Sequence, residues 1–410
     1  MRQRSLTARL ALGGLPALIS AGVAAVVPLT GALFLTEDEY AIWALVTTLS
    51  TIFLLFDFGA PALATKLAAE RSLNRHALSG VIALTAVPPL ALGAVASVIW
   101  YPYAHASQLW AYEPPVVIWA ILLVAAGCAL RSAASVFAAV SLGRSHYANR
   151  AVILIAGALA SAIATVGSLW AGAGLLALGI GVIANGVVGL GFSIVLERRI
   201  DSSDADVAVA RLIRLFFVSK GAATLLGLVI TQLDRWALGL AGDASLLASY
   251  DLATRIVQIP KIALLALLVG LVAESAQASG AELRRVWSRS TALAVVTFVA
   301  AQLVCVPVAL ILSERSEVSG YWLLILGVVV AQLALTSTIP TTLILAGEGR
   351  PERELLYLVP TFLLVVGGYV AGVLLHNGVL LVSIWLGSVT LASLLYSLIG
   401  PKLIGVKHAV

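Results

Sequence analysis

Charged side chains are scarce in this sequence. Asp, Glu, Lys and Arg make up 11% of the 410 residues, whereas an ordinary soluble protein has roughly 25%. So few charges could not cover the surface of a water-soluble domain of this length, and the segments between the apolar runs are short. The composition therefore excludes a soluble protein and favours one whose solvent is lipid.

Residues that carry chemistry are also few. The two cysteines, Cys128 and Cys305, lie far apart inside apolar runs, which excludes a disulfide framework. The five histidines are scattered without metal-ligand spacing. Glycines such as Gly368 and Gly372 lie in apolar segments and follow no strand, so they indicate helix packing and not a phosphate-binding loop. We therefore expect no enzyme activity, catalytic residue, metal or cofactor, and no nucleic-acid partner.

Apolar residues are abundant, at 61% of the chain. A membrane-spanning helix needs about 20 of them in succession. Twelve runs reach that length, and they predict an all-α integral membrane protein with about twelve transmembrane helices. The runs are approximately 10–33, 40–63, 79–101, 115–140, 151–170, 174–196, 213–239, 249–273, 290–312, 321–345, 355–375 and 378–400.

The basic residues predict the orientation. With the N-terminus placed in the cytoplasm, 19 of the 25 Lys and Arg fall in cytoplasmic segments, five fall within or at the ends of spans, and Arg315 alone lies outside. By the positive-inside rule, both termini are cytoplasmic. Seven tryptophans map near the outer ends of the spans, as an interfacial aromatic belt requires: Trp43, Trp100, Trp110, Trp119, Trp170, Trp236 and Trp322.

The chain divides into two halves at its most polar stretch, 196–214. We predict one six-helix bundle over 1–200, a cytoplasmic linker over 201–211 and a second bundle over 212–410. Six spans on each side would make the halves parallel repeats. A short sequence echo pairs Tyr40 with Tyr250, 210 residues apart, and Thr36-x-x-Glu39 predicts a capping box at the start of the second span.

Charges inside the spans are the informative residues, because each is costly in lipid and normally faces a cavity or a partner. They are Asp57, Arg131, Lys220, Asp251, Arg255 and Lys261. Lys220 and Lys261 have no acid three or four residues away on their own helices. The excess of basic over acidic groups predicts a cationic cavity.

Structural alternatives remain open for the other charges. Asp251 and Arg255 are four residues apart and could simply neutralise each other. Asp57 could pair with Lys66, and Arg131 could extend to the inner membrane surface. Arg235 adjoins Asp234 at an outer helix end, which favours an interfacial position.

Three segments carry a resemblance to a known family. Span 2 ends with Phe56-Asp-Phe-Gly-Ala-Pro-Ala-Leu-Ala-Thr-Lys66, and the second half contains Thr231-Gln-Leu-Asp-Arg-Trp-Ala-Leu-Gly-Leu240 followed by Tyr250-Asp-Leu-Ala-Thr-Arg255. In this order and spacing, they resemble the polysaccharide flippases of the MATE-like multidrug/oligosaccharidyl-lipid/polysaccharide exporter superfamily. The resemblance implies a MATE-like fold, with two six-helix bundles around a central cationic cavity.

The resemblance also implies a function. The substrate would be an undecaprenyl-diphosphate-linked oligosaccharide, flipped across a bacterial inner membrane by alternating access for cell-surface polysaccharide biosynthesis. The expected partners are this substrate, membrane lipids and other polysaccharide-assembly proteins. We expect the diphosphate to contact Arg131, Lys220, Arg255 and Lys261, with Asp57 and Asp251 in ion coupling or structural roles.

Three alternatives compete with this interpretation. A cation-coupled drug exporter of the same superfamily would carry acidic residues in its cavity, whereas the embedded charge here is mainly basic. A membrane glycosyltransferase or polymerase of the same pathway would need a sizeable outer domain, which the short outer loops do not provide. A scaffold without transport activity is compatible with the charges.

Overall fold

A computed structural model describes residues 26–56, 60–69, 75–144, 146–196, 225–268, 281–313, 321–348 and 351–404, together with residues 19, 22, 23, 73, 271 and 275. The described residues contain helices and no strand. In chain order the helices are α1 (26–34), α2 (Glu37–Leu55), α3 (Ala60–Ala69), α4 (Arg75–Ser107), α5 (Pro114–Gly143), α6 (Tyr147–Trp170), α7 (Leu176–Leu196), α8 (225–240), α9 (Ala244–Val257), α10 (Ile259–Leu268), α11 (Ala281–Ser313), α12 (Tyr321–Gly347), α13 (Leu355–Leu374) and α14 (Gly378–Leu403). A 3-10 turn, Pro351–Glu354, precedes α13.

Within the described ranges, nine helices are long and apolar enough to cross a membrane: α2, α4, α5, α6, α7, α11, α12, α13 and α14. Their outer faces carry large apolar side chains, such as Val98 and Leu303, each 78% exposed. Lipid covers such a face, whereas water would not favour it. The protein is a multi-pass membrane protein, as the sequence predicts. Of the other three predicted spans, 10–33 lies mostly outside the described residues and 213–239 is described from residue 225 onward.

The predicted span 249–273 is not one continuous helix. Helix α9 ends at Val257 and α10 begins at Ile259. Pro260 has no backbone N–H to donate to the carbonyl four residues earlier, which interrupts the helix. The carbonyl that Pro260 leaves without this bond is that of Ile256. The next carbonyl, that of Val257, accepts a hydrogen bond from Gln302 Nε2 of α11 at 3.0 Å.

The described residues separate into two compact units, which divide between Leu228 and Val229; residue 19 is grouped with the second unit. The predicted linker 201–211 lies outside the described residues. Five helices of the second unit begin at a nearly constant distance from those of the first. The first residues of the paired helices are 207 residues apart for α2 and α9, 206 for α4 and α11, 207 for α5 and α12, 208 for α6 and α13, and 202 for α7 and α14. This spacing supports a repeat, with an offset three residues shorter than the Tyr40–Tyr250 echo suggests.

Close helix packing depends on glycines in both units. A Cβ at Gly186 of α7 would lie 2.5 Å from Leu130 Cβ of α5, and one at Gly368 of α13 would lie 2.5 Å from Ile384 Cγ2 of α14. The predicted packing role of Gly368 and Gly372 is therefore confirmed. The capping box is also confirmed, because the Thr36 side chain accepts from the Glu39 N–H while the Glu39 side chain accepts from the Thr36 N–H.

The tryptophans only partly fit the predicted belt. Trp110, Trp119, Trp170 and Trp322 have exposed side chains, as a belt requires. Trp43 and Trp100 are at most 1% exposed, so they are core residues and the prediction is wrong for them. Position near a helix end does not show which face of the helix a side chain occupies.

Candidate functional site

A helical hairpin in the second unit places four charged residues together. Helix α8 is joined to α9 by the residues 241–243, and Gly242 has a φ of 82°, which glycine adopts without strain. Asp243 caps α9 by accepting a hydrogen bond from the Leu246 N–H at 2.8 Å. This short turn brings residues 234 and 235 of α8 next to residue 251 of α9.

The charged groups form a continuous ion-pair chain. Arg235 Nη1 donates to Asp234 Oδ1 at 2.9 Å and to Oδ2 at 3.1 Å, and Arg235 Nε donates to Asp251 Oδ1 at 2.6 Å. The other Asp251 oxygen accepts from Arg255 Nε at 2.5 Å. Asp234, Arg235 and Asp251 are almost fully buried. Two carboxylates therefore balance two guanidinium groups, and only Arg255 at the end of the chain is partly exposed.

Aromatic side chains hold this chain in place. The Tyr250 hydroxyl donates to Asp234 Oδ2 at 2.6 Å, and the Tyr250 ring lies 5.7 Å from Arg235 Cζ, within cation–π range. Trp385 of α14 packs edge-on against Tyr250, with ring centroids 5.9 Å apart and planes at 84°. Its Nε1 donates to the Ile230 carbonyl of α8 at 2.6 Å. The cluster is thus fixed to α14 as well as to its own hairpin.

Arg255 is the most exposed member of the cluster. Its side chain is 15% exposed, against 5% or less for the other three. Among the described residues, the contact from its Nε to Asp251 is its only hydrogen bond. Both Nη groups are therefore available to an anion, while the shared carboxylate fixes the orientation of the guanidinium plane.

Lys261 is a second cation of the same unit. It lies on α10, beyond the helix break, and its side chain is partly buried. No carboxylate of the described residues lies within 4 Å of it. The sequence has no acid three or four residues from Lys261 on its own helix. The described residues of the neighbouring helices supply none either.

Arg131 belongs to the first unit. Its neighbours on α5, including Cys128, Ser132 and Ala134, are buried, yet the Arg131 side chain is exposed. It has no ion-pair partner among the residues that the structure describes. The Arg131 side chain is thus accessible although its neighbours on α5 are buried.

The structure brings together only some of the predicted site residues. Asp251 and Arg255 form the predicted i,i+4 ion pair, which gives Asp251 a structural contact. Lys261 lies in the same unit and Arg131 in the other, while the side chains of Lys220, Asp57 and Lys66 lie outside what the structure describes.

Asp234, Arg235 and Tyr250 were identified in the sequence only as parts of segments that carry the resemblance or the repeat, and none was predicted to belong to the site. The interfacial position predicted for Arg235 is wrong, since this side chain is buried and paired on two sides. The sequence contained a usable signal: an adjacent Asp-Arg pair lies sixteen residues before Tyr-Asp, with Gly242 between them at a turn.

The described residues contain no group of three or more His, Cys, Asp or Glu side chains able to hold a metal ion. The two buried carboxylates of the second unit already accept hydrogen bonds from guanidinium groups, which occupy the positions that a cation would need.

No protein-family model and no curated protein matches the sequence. Solved structures do match it. A MOP-superfamily transporter from Pyrococcus furiosus aligns with a TM-score of 0.64 and 14% identity, over 96% of this chain and 94% of that one. An inward-facing multidrug-resistance MATE transporter gives 0.62 and 15%, over 96% and 94%. Its outward-facing counterpart gives 0.64 and 14%, over 97% and 96%.

The fold is MATE-like. Nearly the whole chain takes part in the similarity, so the MATE-like fold predicted from the sequence is confirmed. At 14–15% identity, the comparison shows the fold alone. The count of twelve spans and the cytoplasmic termini stay predictions.

Proposed function

We propose that this protein is a transporter that flips an undecaprenyl-diphosphate-linked oligosaccharide from the cytoplasmic to the outer leaflet of a bacterial inner membrane. It would act by alternating access in cell-surface polysaccharide biosynthesis. The MATE-like fold supports the transport activity, because the solved structures that share it are described as transporters. The excess of basic over acidic groups within the spans supports an anionic substrate such as a diphosphate.

The observation that carries the proposal is the open side of Arg255. Its Nε is held by Asp251, which leaves both Nη groups for a ligand. A guanidinium in this state matches two oxygens of a phosphate, and such charge-assisted hydrogen bonds are about twice as strong as neutral ones. Lys261 of the same unit, which has no partner among the described residues, would add positive charge for the second phosphate. Arg131 of the first unit is a further cation that would contribute to transport.

A drug exporter of the same superfamily is the second candidate, because two of the similar structures are multidrug-resistance transporters. A cationic drug would need a free carboxylate, and Asp234 and Asp251 are both engaged by arginine. The Pyrococcus furiosus protein is described as having a binding pocket of reverse polarity that suggests a different function. Pocket polarity therefore varies among proteins of this fold, and the basic surplus here favours an anionic substrate.

Transport in reconstituted vesicles tests the proposal. Wild-type protein should move a fluorescent undecaprenyl-diphosphate-linked saccharide to the opposite leaflet, where an added glycosidase can reach it. Loss of one charge-assisted hydrogen bond costs about 1.5–3 kcal/mol. Arg255→Gln should therefore lower the apparent affinity by about 10- to 100-fold, with smaller losses for Lys261→Gln and Arg131→Gln.

Arg289→Gln is the matched control, because Arg289 is an exposed arginine near the beginning of α11. It should transport as wild type. If all three site variants also transport as wild type, the cationic-site argument is wrong. If the wild-type protein moves an organic cation and not the lipid-linked saccharide, the drug-exporter alternative is correct.

A further inference from the structure

An apolar groove runs between α13 and α14, on the face of the second unit that lipid covers. It encloses a cavity of about 240 Å³. Its walls are large aliphatic side chains that are themselves exposed, and they include Leu356, Leu364, Leu391, Leu395 and Ile399. We propose that this groove binds one acyl chain of an anionic phospholipid, whose headgroup lies at the basic end of the groove.

The length of the groove fits a single leaflet. Along α14, its lining extends from Leu391 to Leu403. Twelve residues at about 1.5 Å each give about 18 Å. The hydrocarbon core of a bilayer is about 30 Å thick, so each leaflet contributes about 15 Å. The groove is therefore long enough for one acyl chain and too short to cross the bilayer.

Charge marks one end of the groove. Arg353 Nη1 donates to the carbonyl of Leu403, a lining residue, at 2.6 Å, and this is its only hydrogen bond among the described residues. Lys402 is exposed beside it and has no described partner. Of the side chains that the structure describes at this end, Arg353, Lys402 and Glu354 together carry a net charge of one positive. The remaining N–H groups of both basic side chains are available to a phosphate.

Two aromatic residues also line the groove. The rings of Tyr357 and Tyr396 lie 4.5 Å apart and both belong to the wall of the groove. Tyrosine is suited to the boundary between hydrocarbon and headgroup, because its ring is apolar and its hydroxyl is polar. The groove thus combines an apolar wall, aromatic rings within that wall and two cations at one end, which suits an anionic lipid.

The lipid preference can be measured on the full protein. Delipidated protein in neutral detergent would be titrated with dioleoyl phosphatidylglycerol or dioleoyl phosphatidylcholine, and bound lipid counted by native mass spectrometry. A basic residue near the headgroup contributes about 1 kcal/mol, which is about fivefold in affinity. Arg353 and Lys402 together should favour phosphatidylglycerol by about 30-fold before the opposing effect of Glu354.

Matched variants distinguish the contribution of the basic residues to lipid binding from that of the apolar groove. The double variant Arg353→Gln with Lys402→Gln should lose the preference for phosphatidylglycerol, whereas Arg75→Gln, an exposed arginine of the other unit, should keep it. Ala392→Trp should fill the groove and weaken binding of both lipids. Ala94→Trp, on an exposed position of α4, should not.

Three results would overturn the proposal: equal affinity for the two lipids, an unchanged preference in the double glutamine variant, or displacement of phosphatidylglycerol from the groove by a lower concentration of undecaprenyl phosphate. The last result would assign the groove to a polyprenyl chain. The first two measurements do not depend on what the protein transports.

Discussion

Replacing Asp251 with Asn removes the carboxylate that two arginines share. In the native cluster, one Asp251 oxygen accepts from Arg235 Nε at 2.6 Å and the other accepts from Arg255 Nε at 2.5 Å. An Asn side chain has one carbonyl oxygen and one NH₂ group, so it can accept from only one arginine and directs N–H donors at the other. The cluster then contains two guanidinium groups and only the Asp234 carboxylate.

The expected cost follows from burial. Asp251 is fully buried, and removing one partner of a buried ion pair costs about 3–5 kcal/mol. Arg255→Gln should cost less, about 1–2 kcal/mol, because Arg255 is partly exposed and Asp251 keeps its contact with Arg235. The double variant restores a neutral cluster of Asp234 and Arg235. Its loss should therefore be about 1–3 kcal/mol smaller than the sum of the two single losses.

The assay is the loss of the helical circular-dichroism signal on heating in one fixed detergent. At about 2–4 °C per kcal/mol, Asp251→Asn should lower the unfolding midpoint by about 6–20 °C, and Arg255→Gln should lower it by only a few degrees. Unfolding of Asp251→Asn within about 2 °C of wild type would refute the buried ion-pair chain. Additive losses in the double variant would show that Asp251 and Arg255 act independently.

Other parts of the structure give three further predictions for the same unfolding assay. Gly368→Val should destabilise by several kcal/mol or prevent expression, because its side chain would overlap α14, whereas Gly367→Val, with nothing within 4 Å, should be nearly neutral. Gln302→Leu should cost about 1–3 kcal/mol by leaving the buried Val257 carbonyl unpaired, and an unchanged midpoint would show that this contact is not needed. Thr36→Ala should cost about 1 kcal/mol through loss of the capping box, and Thr36→Ser should restore most of it.

The spacing of residues along the sequence predicts the structural features that depend on residues close together in the chain. Hydropathy identified the spanning helices, because each needs its own apolar run. The Asp251–Arg255 pair followed from i,i+4 geometry, and the capping box from the Thr36-x-x-Glu39 pattern. In each case, the interacting groups lie within one helical turn or one helix.

Contacts between helices were not predicted, because they depend on residues that are far apart in the sequence. The pairing of Arg235 with Asp251 depends on the turn between α8 and α9, which sets how two helices face each other. The hydrogen bond from Gln302 to Val257 joins residues 45 apart. The burial of Trp43 depends on neighbouring helices, and an apolar segment alone does not show which of its faces they cover.

The repeat supplies an internal comparison for the ionic cluster. Helices α2 and α9 start 207 residues apart, so Asp251 and Arg255 correspond to Ala44 and Thr48. Ala44 and Thr48 are also buried, and the Thr48 hydroxyl donates to the Ala44 carbonyl at 2.8 Å. The same helix position in the first unit is thus packed with neutral residues at the same i,i+4 spacing.

This comparison bears on why the second unit keeps its charges. Buried ion pairs are weak evidence for stability, since well-packed neutral residues are often at least as stable. The first unit shows that a helix in this position packs with a neutral pair. The two buried carboxylates of the second unit are therefore better explained by what they hold: Arg235 in the interior, and through Asp251 the partly exposed Arg255 in a fixed orientation. That orientation matters only if another molecule contacts Arg255, which is the reason to look for the ligand of this unit at its open Nη groups.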